Sequence, residues 1–452
     1  MRRLLLVSGI AAAWAAAAAG TQQAPKLAGR YRNILNGFSL CPPANTQLER
    51  TASARRLVGW VSRDEKTGAI RWSLDVLRTR PGPTELSAAE YAKAVAEELA
   101  RTHQFKVDST ELAVVAGKPA MHFRGIWSGA LRLWRRQSWV QVEPGNYLVL
   151  NIAGTEAAKA EMDAVLTAVL KTLELFDPEQ ARRERGQAVA RGAEVLGKLT
   201  EAGLQNLLSG ETFYFLMKLK GQPVGFLRGS ESMASHEGRR GIWVVRLAAL
   251  KLAKQPRQLI REELFASPDR RLERWRRTTL LGEGPAAVHN TDEAIKQDDL
   301  ILLHSRSQGQ PRKTRQFEVP EPVRPAYLPD AMGVVAPRLI DRSRPGSYGF
   351  AVFNPAALGF ELRTIVVVGT ETITHAGKKV LATHLTDQMA DDAPQADLWV
   401  DHTGRLLSMT TAEELSIERS SRAAVVELFA AELLELEKLS SRPPAGEEKK
   451  AK

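Results

Sequence analysis

Apolar and polar residues alternate along residues 361–411 in a pattern that predicts four antiparallel strands. The first run is rich in β-branched residues, among them Ile365, Val366 and Val367, which favour an extended backbone. Turn-forming residues interrupt the alternation at 375–378, around 391–394 and at 401–404. This meander carries no reactive motif, so the pattern predicts a scaffold and does not indicate a reaction.

The chain before residue 177 combines strand patterns with two helical repeats. The strand patterns cover residues 38–43, 56–62, 69–77, 111–127 and 131–152. Tyr91, Val95 and Leu99 recur at a spacing of four and predict a helix ending near residue 102. A second apolar helical period runs from about residue 155 to 173. The order predicts an antiparallel sheet with helices packed on it.

The chain after residue 191 repeats this design on a larger scale. An amphipathic helix precedes strand patterns at 212–227, 241–251, 258–265, 271–280 and 300–304, and a last helix is predicted over 421–439. Residues 308–329 hold five prolines and many basic residues, which predicts a long exposed loop or lid. A short helix is expected over 330–336. The fold class predicted for the whole chain is α+β, with two domains.

The predicted domain organisation follows from these patterns and from the two ends of the chain. It comprises a signal peptide at 1–19, a polar lead-in at 20–36, a first α+β domain at 37–176, a linker at 177–191, a second, half-barrel-like domain with a closing helix at 192–440, and a disordered tail at 441–452. Arg2 and Arg3, a short apolar run and an Ala-x-Ala site are typical of a secretory signal peptide. We therefore expect an extracytoplasmic protein, in the periplasm or secreted.

Charge and cysteine content narrow the partner classes. The formal net charge is +11, and loss of the two arginines of the predicted signal peptide leaves +9. The aliphatic part of an arginine side chain can cover apolar neighbours, so basic residues do not require an anionic partner. Because the protein is predicted to be secreted, nucleic acid is disfavoured as a partner. Lipid, an envelope protein or an acidic envelope polymer stay open as partners. Cys41 is the only cysteine, so it cannot form an internal disulfide, and we expect a small buried apolar side chain.

Candidate chemistry in the sequence is sparse. His375, His384 and His402 fall in one meander, but they lack a short metal-ligand spacing, and strand alternation does not place them on one face. Ser230 lies outside a Gly-x-Ser-x-Gly elbow. The acidic pairs at 298–299 and 391–392 are expected at solvated tips. We assign no catalytic, cofactor-binding or metal-binding residue and expect no cofactor.

Three tryptophans of the first domain raise the question of a ligand platform. Trp127, Trp134 and Trp139 lie in predicted hairpin strands. Residues of this type in such positions more often belong to a core than to a binding surface. We expect core positions for all three.

The first domain resembles the PsbP-like α/β/α sandwich, a group that includes photosystem accessory proteins and small bacterial envelope proteins. Residues 37–40, 135–140 and 165–173 carry the resemblance, together with the order of the elements. The resemblance implies a mostly non-enzymatic protein that acts through protein contacts, and no catalytic residue follows from it.

The second domain loosely resembles the half-barrel of LolA-like lipoprotein carriers. Residues 377–380 and 399–407 carry this resemblance, and the chain departs from the carriers in length and in its proline-rich insertion. The resemblance implies a cavity for acyl chains if the concave face is apolar.

Two hypotheses on function from different classes follow. The first is a non-catalytic binding or assembly factor of the bacterial cell envelope, which uses either a sheet edge for protein contacts or a half-barrel cavity for an apolar ligand. The alternative is an envelope hydrolase with an unrecognised active site.

Overall fold

The computed structural model describes residues 25–49, 56–64, 66–79, 88–128, 132–252, 255–284, 287–390, 393, 395–411 and 415–440. The predicted signal peptide, the predicted tail and the acidic pair 391–392 lie outside these residues. The chain divides into two compact units, Arg2–Ala181 and Arg182–Lys452, each of which is described by itself.

The described residues of the first unit form ten strands and two α-helices. They are β1 (Tyr31–Asn33), β2 (Phe38–Leu40), β3 (Gln47–Glu49), β4 (Arg56–Arg63), β5 (Ile70–Thr79), α1 (Ala88–His103), β6 (Phe105–Val115), β7 (Lys118–Ser128), β8 (Arg132–Glu143), β9 (Asn146–Gly154), α2 (Lys159–Lys171) and β10 (Glu174–Leu175). All strand pairs are antiparallel, in a small sheet ordered β1-β2-β10 and a seven-stranded sheet ordered β3-β4-β5-β9-β8-β7-β6.

Each face of the seven-stranded sheet packs against one helix. Leu74 and Leu150 point toward α2 and join an apolar cluster with Met162. Phe123 and Val149 point to the opposite face and join a second cluster with residues of α1. Because side chains alternate along a strand, one run of apolar residues supplies both clusters. The predicted antiparallel sheet with packed helices is confirmed.

In the second unit, the residues that the structure describes form fourteen strands and five α-helices. They are α3 (Pro178–Gly197), which begins four residues before the division, α4 (Glu201–Leu207), β11 (Thr212–Leu219), β12 (Gln222–His236), β13 (Arg239–Leu250), β14 (Gln258–Ala266), β15 (Leu272–Leu281), β16 (Val288–Gln297), β17 (Leu300–Ser307), β18 (Lys313–Glu318), α5 (Asp330–Gly333), α6 (Ala336–Leu339), β19 (Gly346–Asn354), β20 (Gly359–His375), β21 (Lys378–Gln388), β22 (Gln395–Val400), β23 (Leu406–Thr411), β24 (Leu415–Ser420) and α7 (Arg422–Ser440).

The strands of the second unit form one antiparallel sheet of fourteen strands. Its order is β18-β17-β16-β15-β14-β13-β12-β11-β24-β23-β22-β21-β20-β19, so two meanders meet where β11 pairs with β24. The predicted four-stranded meander corresponds to β20–β23. The sheet is open rather than a closed barrel, and β18 and β19 are its edges. At these edges the rings of Phe317 and Phe353 pack with centroids 4.9 Å apart.

Two elements cover opposite faces of this sheet. Helix α7 packs on β11–β14, where Leu247 and Leu259 join an apolar cluster with Phe429. We call the opposite side, onto which Arg246 and Glu262 point, the inner face. Helix α5 lies on the inner face against β13 and β14.

Residues 319–342, here called the inner segment, correct one prediction. Residues 308–329 were expected to form a long exposed loop or lid; much of this stretch is exposed, yet Val319, Ala326, Tyr327 and Leu328 are buried. Residues 308–318, which include edge strand β18, are largely exposed, and so are residues 320–322 and Pro325. Proline fixes φ near the values of a turn or 3₁₀ helix, so the prolines shape a 3₁₀ segment over Glu321–Ala326, and its last residue, Ala326, begins the buried stretch.

The predicted linker at 177–191 lies within helix α3. The later part of α3 packs on β19, where Arg191 Nε donates to the carbonyl of Ser347 at 2.7 Å. Gly192 permits this approach, since a Cβ there would lie 2.1 Å from the carbonyl oxygen of Gly349. The position of the linker between two domains stays a prediction.

Candidate functional site

A row of charged residues crosses the inner face between buried apolar side chains such as Val244 and Leu264. Arg246, Glu262 and Arg277 lie directly opposite one another on β13, β14 and β15. Glu262 Oε2 is 2.7 Å from Arg246 Nε, and its Oε1 is 2.5 Å from Arg277 NH2. Burial acts to raise the pKa of Glu262, but the two guanidinium groups outweigh it and the pKa lies below its usual value. This carboxylate is therefore ionised at neutral pH.

Glu273 on β15 joins the inner face to the inner segment. Its carboxylate accepts hydrogen bonds from Tyr327 Oη at 2.6 Å and from the amide of Asp330 at 2.9 Å. Lys296 lies opposite on β16, and its Nζ donates to the carbonyl of Arg270. Burial raises the pKa of Glu273 to about 7, although its hydrogen bonds act in the other direction. This contact is thus the part of the inner face that changes charge near neutral pH.

Two further arginines fix the rest of the inner segment. Arg363 and Asp387 form a buried ion pair at 2.6 Å, and Arg363 NH1 donates to the carbonyl of Gly333. Arg338 of the segment pairs with buried Glu231 on β12 at 2.5 Å. The segment is therefore held on the sheet by side-chain contacts along its length.

These contacts bear on the half-barrel hypothesis. An acyl-chain cavity requires an exposed apolar concave face, whereas these rows of the inner face are charged and covered by the chain's own segment. The apolar residues on the same face of the second meander are buried as well; examples are Val367, Leu385, Leu398 and Val400. In this conformation the chain's own residues cover the described part of the inner face.

Strand β6 presents the other predicted kind of site, an exposed sheet edge. It spans eleven residues and, among the described strands, pairs only with β7. Leu112 and Val114 point to one face and are 50 % and 75 % exposed. Edge strands usually carry charges that discourage pairing, as Lys313 and Arg315 do on β18. Its length and its exposed apolar residues make β6 the candidate functional site.

The first residues of β6 escaped the sequence analysis. The strand was expected to begin at residue 111, but it begins at Phe105. Phe105 and Val107 already show the alternation of a strand, and an irregular register between Val107 and Ser109 then shifts it by one residue. A search that allowed one inserted residue would have found the longer edge.

The three histidines of the meander are not brought together as a metal site. His384 stacks on Trp399 with ring centroids 5.1 Å apart, and its Nε2 lies 2.9 Å from Asp397. His375 ends β20, and His402 lies in the turn after β22. Within the described ranges no group of three His, Cys, Asp or Glu residues could hold a metal ion.

The other candidates occupy ordinary positions. Ser230 lies within β12 and not at a strand-to-helix turn. Asp299, at the β16–β17 turn, pairs with Arg324 of the inner segment at 3.1 Å. Trp134 is buried in the cluster beneath α2, and Trp139 packs between Phe123 and Tyr147. Trp127 and Trp139 are both half-buried and pack against the apolar cluster on the α1 side of the sheet.

Several solved structures are similar to this chain, including the following three. The first is the cyanobacterial PsbP protein (CyanoP) of Synechocystis sp. PCC 6803, with 14 % identity over 36 % of this chain and 98 % of that one and a TM-score of 0.26. LpqN, involved in cell envelope biogenesis of Mycobacterium tuberculosis, has 15 % identity over 31 % of this chain and 83 % of its own, with a TM-score of 0.26.

The third structure is a β-barrel-like protein of the domain of unknown function DUF1849 from Brucella abortus. It has 12 % identity over 46 % of this chain and 95 % of its own, with a TM-score of 0.29. A PsbP protein, from the group that the first domain was expected to resemble, is thus among the structures found.

Comparisons of sequence add no relative. No family model matches the chain, and no curated protein matches it. Of the helices that the structure describes, none has the length and apolar character needed to cross a membrane.

Proposed function

We propose that the protein is an exported, non-catalytic binding or assembly factor of the bacterial cell envelope, which recognises a protein partner through the edge strand β6. The observation that carries this proposal is the exposure of Leu112 and Val114 on an eleven-residue edge strand. Export rests on the predicted signal peptide at 1–19.

The geometry of an edge strand defines what the partner would supply. The outer edge of β6 carries backbone N–H and C=O groups that can extend the sheet by one strand. Leu112 and Val114 are two residues apart, so a partner strand with apolar residues at alternate positions would cover both. Asp108 and Glu111 are exposed on the same strand and favour a basic segment.

A photo-crosslinking experiment tests the site in the native envelope. A photoreactive amino acid is placed at Leu112 or Val114 of the full precursor in its own host, and at Leu381 as a control that is 69 % exposed on a different strand. We expect one discrete protein adduct from positions 112 and 114 and none from 381. Adding Val114→Lys should abolish the adduct formed at 112.

Other outcomes would reject parts of the proposal. Equal adducts at 112 and 381, or no adduct at all, would reject β6 as the site. A mature chain that retains residues 1–19 in the cytoplasm would reject export. Stoichiometric lipid in native mass spectra would favour the apolar-ligand hypothesis, and turnover on an ester or peptide panel would favour the hydrolase alternative.

A further inference from the structure

Strands β20 and β21 continue beyond both of their neighbours as a two-stranded ribbon, here called the arm. β20 pairs with β19 only as far as Val367, and β21 pairs with β22 only from Thr383 onward. The arm therefore comprises residues 368–382, and at about 3.3 Å per residue it extends the two strands by roughly 25 Å. Two strands without further neighbours are marginally stable in water, so an arm of this length is a candidate for pairing with another chain.

The two edges of the arm differ in their protection against pairing. On the β21 side lie Lys378 and Lys379, both exposed, and lysines on an edge discourage a further strand. The β20 side, residues 368–375, contains no lysine, arginine or proline. Among the described residues no strand pairs with this side of the arm. It is here called the free edge.

The turn at the tip fixes which backbone groups lie on the free edge. Ala376 and Gly377 have φ values of 48° and 76°, as in a two-residue type I′ turn. His375 and Lys378 then form a hydrogen-bonded pair, and the backbone groups of successive residues point alternately toward β21 and away from it. The residues whose N–H and C=O groups point outward are Thr370, Thr372 and Thr374.

The free edge is complementary to itself when it pairs antiparallel with Ile373 opposite Ile373 of a second copy. Within the arm Ile373 lies opposite Val380, so this register joins the two arms by a continuous apolar row. Each Thr372 then lies opposite a Thr374, and these outward groups can exchange both backbone hydrogen bonds.

Charge selects the same register. With Ile373 at the centre, Glu371 lies opposite His375 of the second copy on both sides, so a carboxylate meets an imidazole. Pairing centred on Glu371 would instead place two carboxylates opposite each other, which is unfavourable. Pairing centred on Thr372 would place Glu371 opposite an isoleucine. The register around Ile373 therefore satisfies both the apolar and the charged positions of the edge.

We propose that the protein forms a symmetric dimer in which the free edges of two arms pair antiparallel about Ile373. A dimer with two-fold symmetry uses the same surface on both subunits, and the free edge meets that requirement. Antiparallel pairing also directs the two fourteen-stranded sheets away from each other. The partner is thus a second copy of this chain. The site is separate from β6, and the dimer would form without the envelope partner proposed above.

Sedimentation velocity of the purified mature chain over a concentration series tests the dimer. We expect a reversible monomer–dimer equilibrium. Ile373→Lys places two ammonium groups opposite each other and should raise the dissociation constant at least tenfold. The matched control is Leu381→Lys, which adds the same charge at a position that is 69 % exposed on β21, one strand away from the free edge. It should leave the dissociation constant within twofold.

Cysteine crosslinking tests the register and needs no lysine variant to fold. The background variant is Cys41→Ser, since Cys41 is a free cysteine. In the proposed register the two Cα atoms of residue 373 lie about 4.5 Å apart, which a disulfide can span. Ile373→Cys should therefore give a disulfide-linked dimer on mild oxidation. Thr370→Cys, exposed on the same edge, would lie roughly 20 Å from its counterpart and should not.

Several outcomes would overturn the proposal. They are a monomer at every concentration, an unchanged dissociation constant in Ile373→Lys, and equal disulfide yields at positions 370 and 373. A dimer that is dissociated by Val114→Lys but not by Ile373→Lys would also overturn it, because the copies would then pair through β6. A dimer that is weakened by Ile373→Lys alone and crosslinked at 373 alone would support it.

Discussion

The seven-stranded sheet and the inner face of the fourteen-stranded sheet bury their surfaces by different means. The smaller sheet places apolar side chains under a regular helix on each face. The inner face and its segment also bury apolar side chains, among them Leu264 and Met332, and ion pairs and hydrogen bonds in addition hold this segment of short helices and prolines. Apolar packing is tolerant of small shifts, whereas paired charges demand particular partners. The comparison indicates that paired charges fix the position of a segment whose helices are too short to fix it by themselves.

Two glutamates on the inner face show how strongly the partners matter. Glu262 and Glu273 lie on adjacent strands and are both almost fully buried. Two guanidiniums contact Glu262 and lower its pKa, whereas a phenol and a backbone amide contact Glu273, where burial dominates and raises the pKa. The contributions of Glu262 and Glu273 to the free energy of unfolding therefore depend on pH in opposite directions.

The largest expected effect comes from breaking one buried ion pair. Asp387→Ala leaves Arg363 buried without its carboxylate, and we expect the free energy of unfolding to fall by about 3–5 kcal/mol. The double variant Arg363→Met, Asp387→Leu removes both charges and should lose less than the single variant. Urea unfolding of the three proteins measures both effects. If the free energy of unfolding falls more in the double variant than in the single variant, the ion pair itself stabilises the fold and does more than fix the position of the segment.

A change of pH tests the contact between Glu273 and the inner segment. The folded protein holds this proton up to about pH 7, whereas the unfolded chain releases it near 4.5. The contribution of Glu273 is thus greatest below 4.5 and declines as the pH rises to 7. We expect the stability of the unsubstituted protein relative to Glu273→Gln to decrease by roughly 3 kcal/mol across this window.

Urea unfolding at pH 4.5, 6 and 8 measures this decrease. Glu262→Gln is the control on the same face; since the pKa of Glu262 is lowered, its contribution is complete above its unfolded value and should stay constant over the same range. Parallel pH profiles for the unsubstituted protein and the Glu273 variant would contradict the assignment.

A smaller effect is expected from a change of shape in the apolar cluster under α1. Met121 is buried there, and Met121→Leu conserves volume without adding a polar atom. We expect a loss below about 1.5 kcal/mol in the free energy of unfolding. Thermal and urea unfolding provide the measurement. A loss as large as that of Asp387→Ala would remove the contrast between the two surfaces.

The smallest effect is expected for an exposed ion pair. Arg240 and Glu201 lie 2.9 Å apart, and about half of each side chain is exposed. Water and salt screen such a pair, so Arg240→Gln should change the free energy of unfolding by less than about 0.5 kcal/mol. Measurements at low and high salt should agree. A change above 1 kcal/mol would show that exposed charges also fix structure in this unit.

Alternation and helical periodicity predicted most of the strands and helices, but not the contacts that hold the inner segment. The prolines and basic residues at 308–329 indicated an exposed loop because composition reports solubility and not the partner that a residue meets. Tyr327 and Glu273 are 54 residues apart in the chain, and no local pattern links them.

The order of apolar positions alone determined that this chain builds antiparallel sheets with packed helices, because that order reflects the two-residue period of a strand and the helical period of about 3.6. Only the tertiary structure decided which arginines are paired, which edge stays open and which segment covers the inner face. The physical reason is that charge pairing and burial depend on distances between residues remote in the chain. Arg135 and Arg136 adjoin in sequence, yet the pleat sends them to opposite faces, where Arg136 pairs with Asp163 and Arg135 lies beside the ring of Trp127.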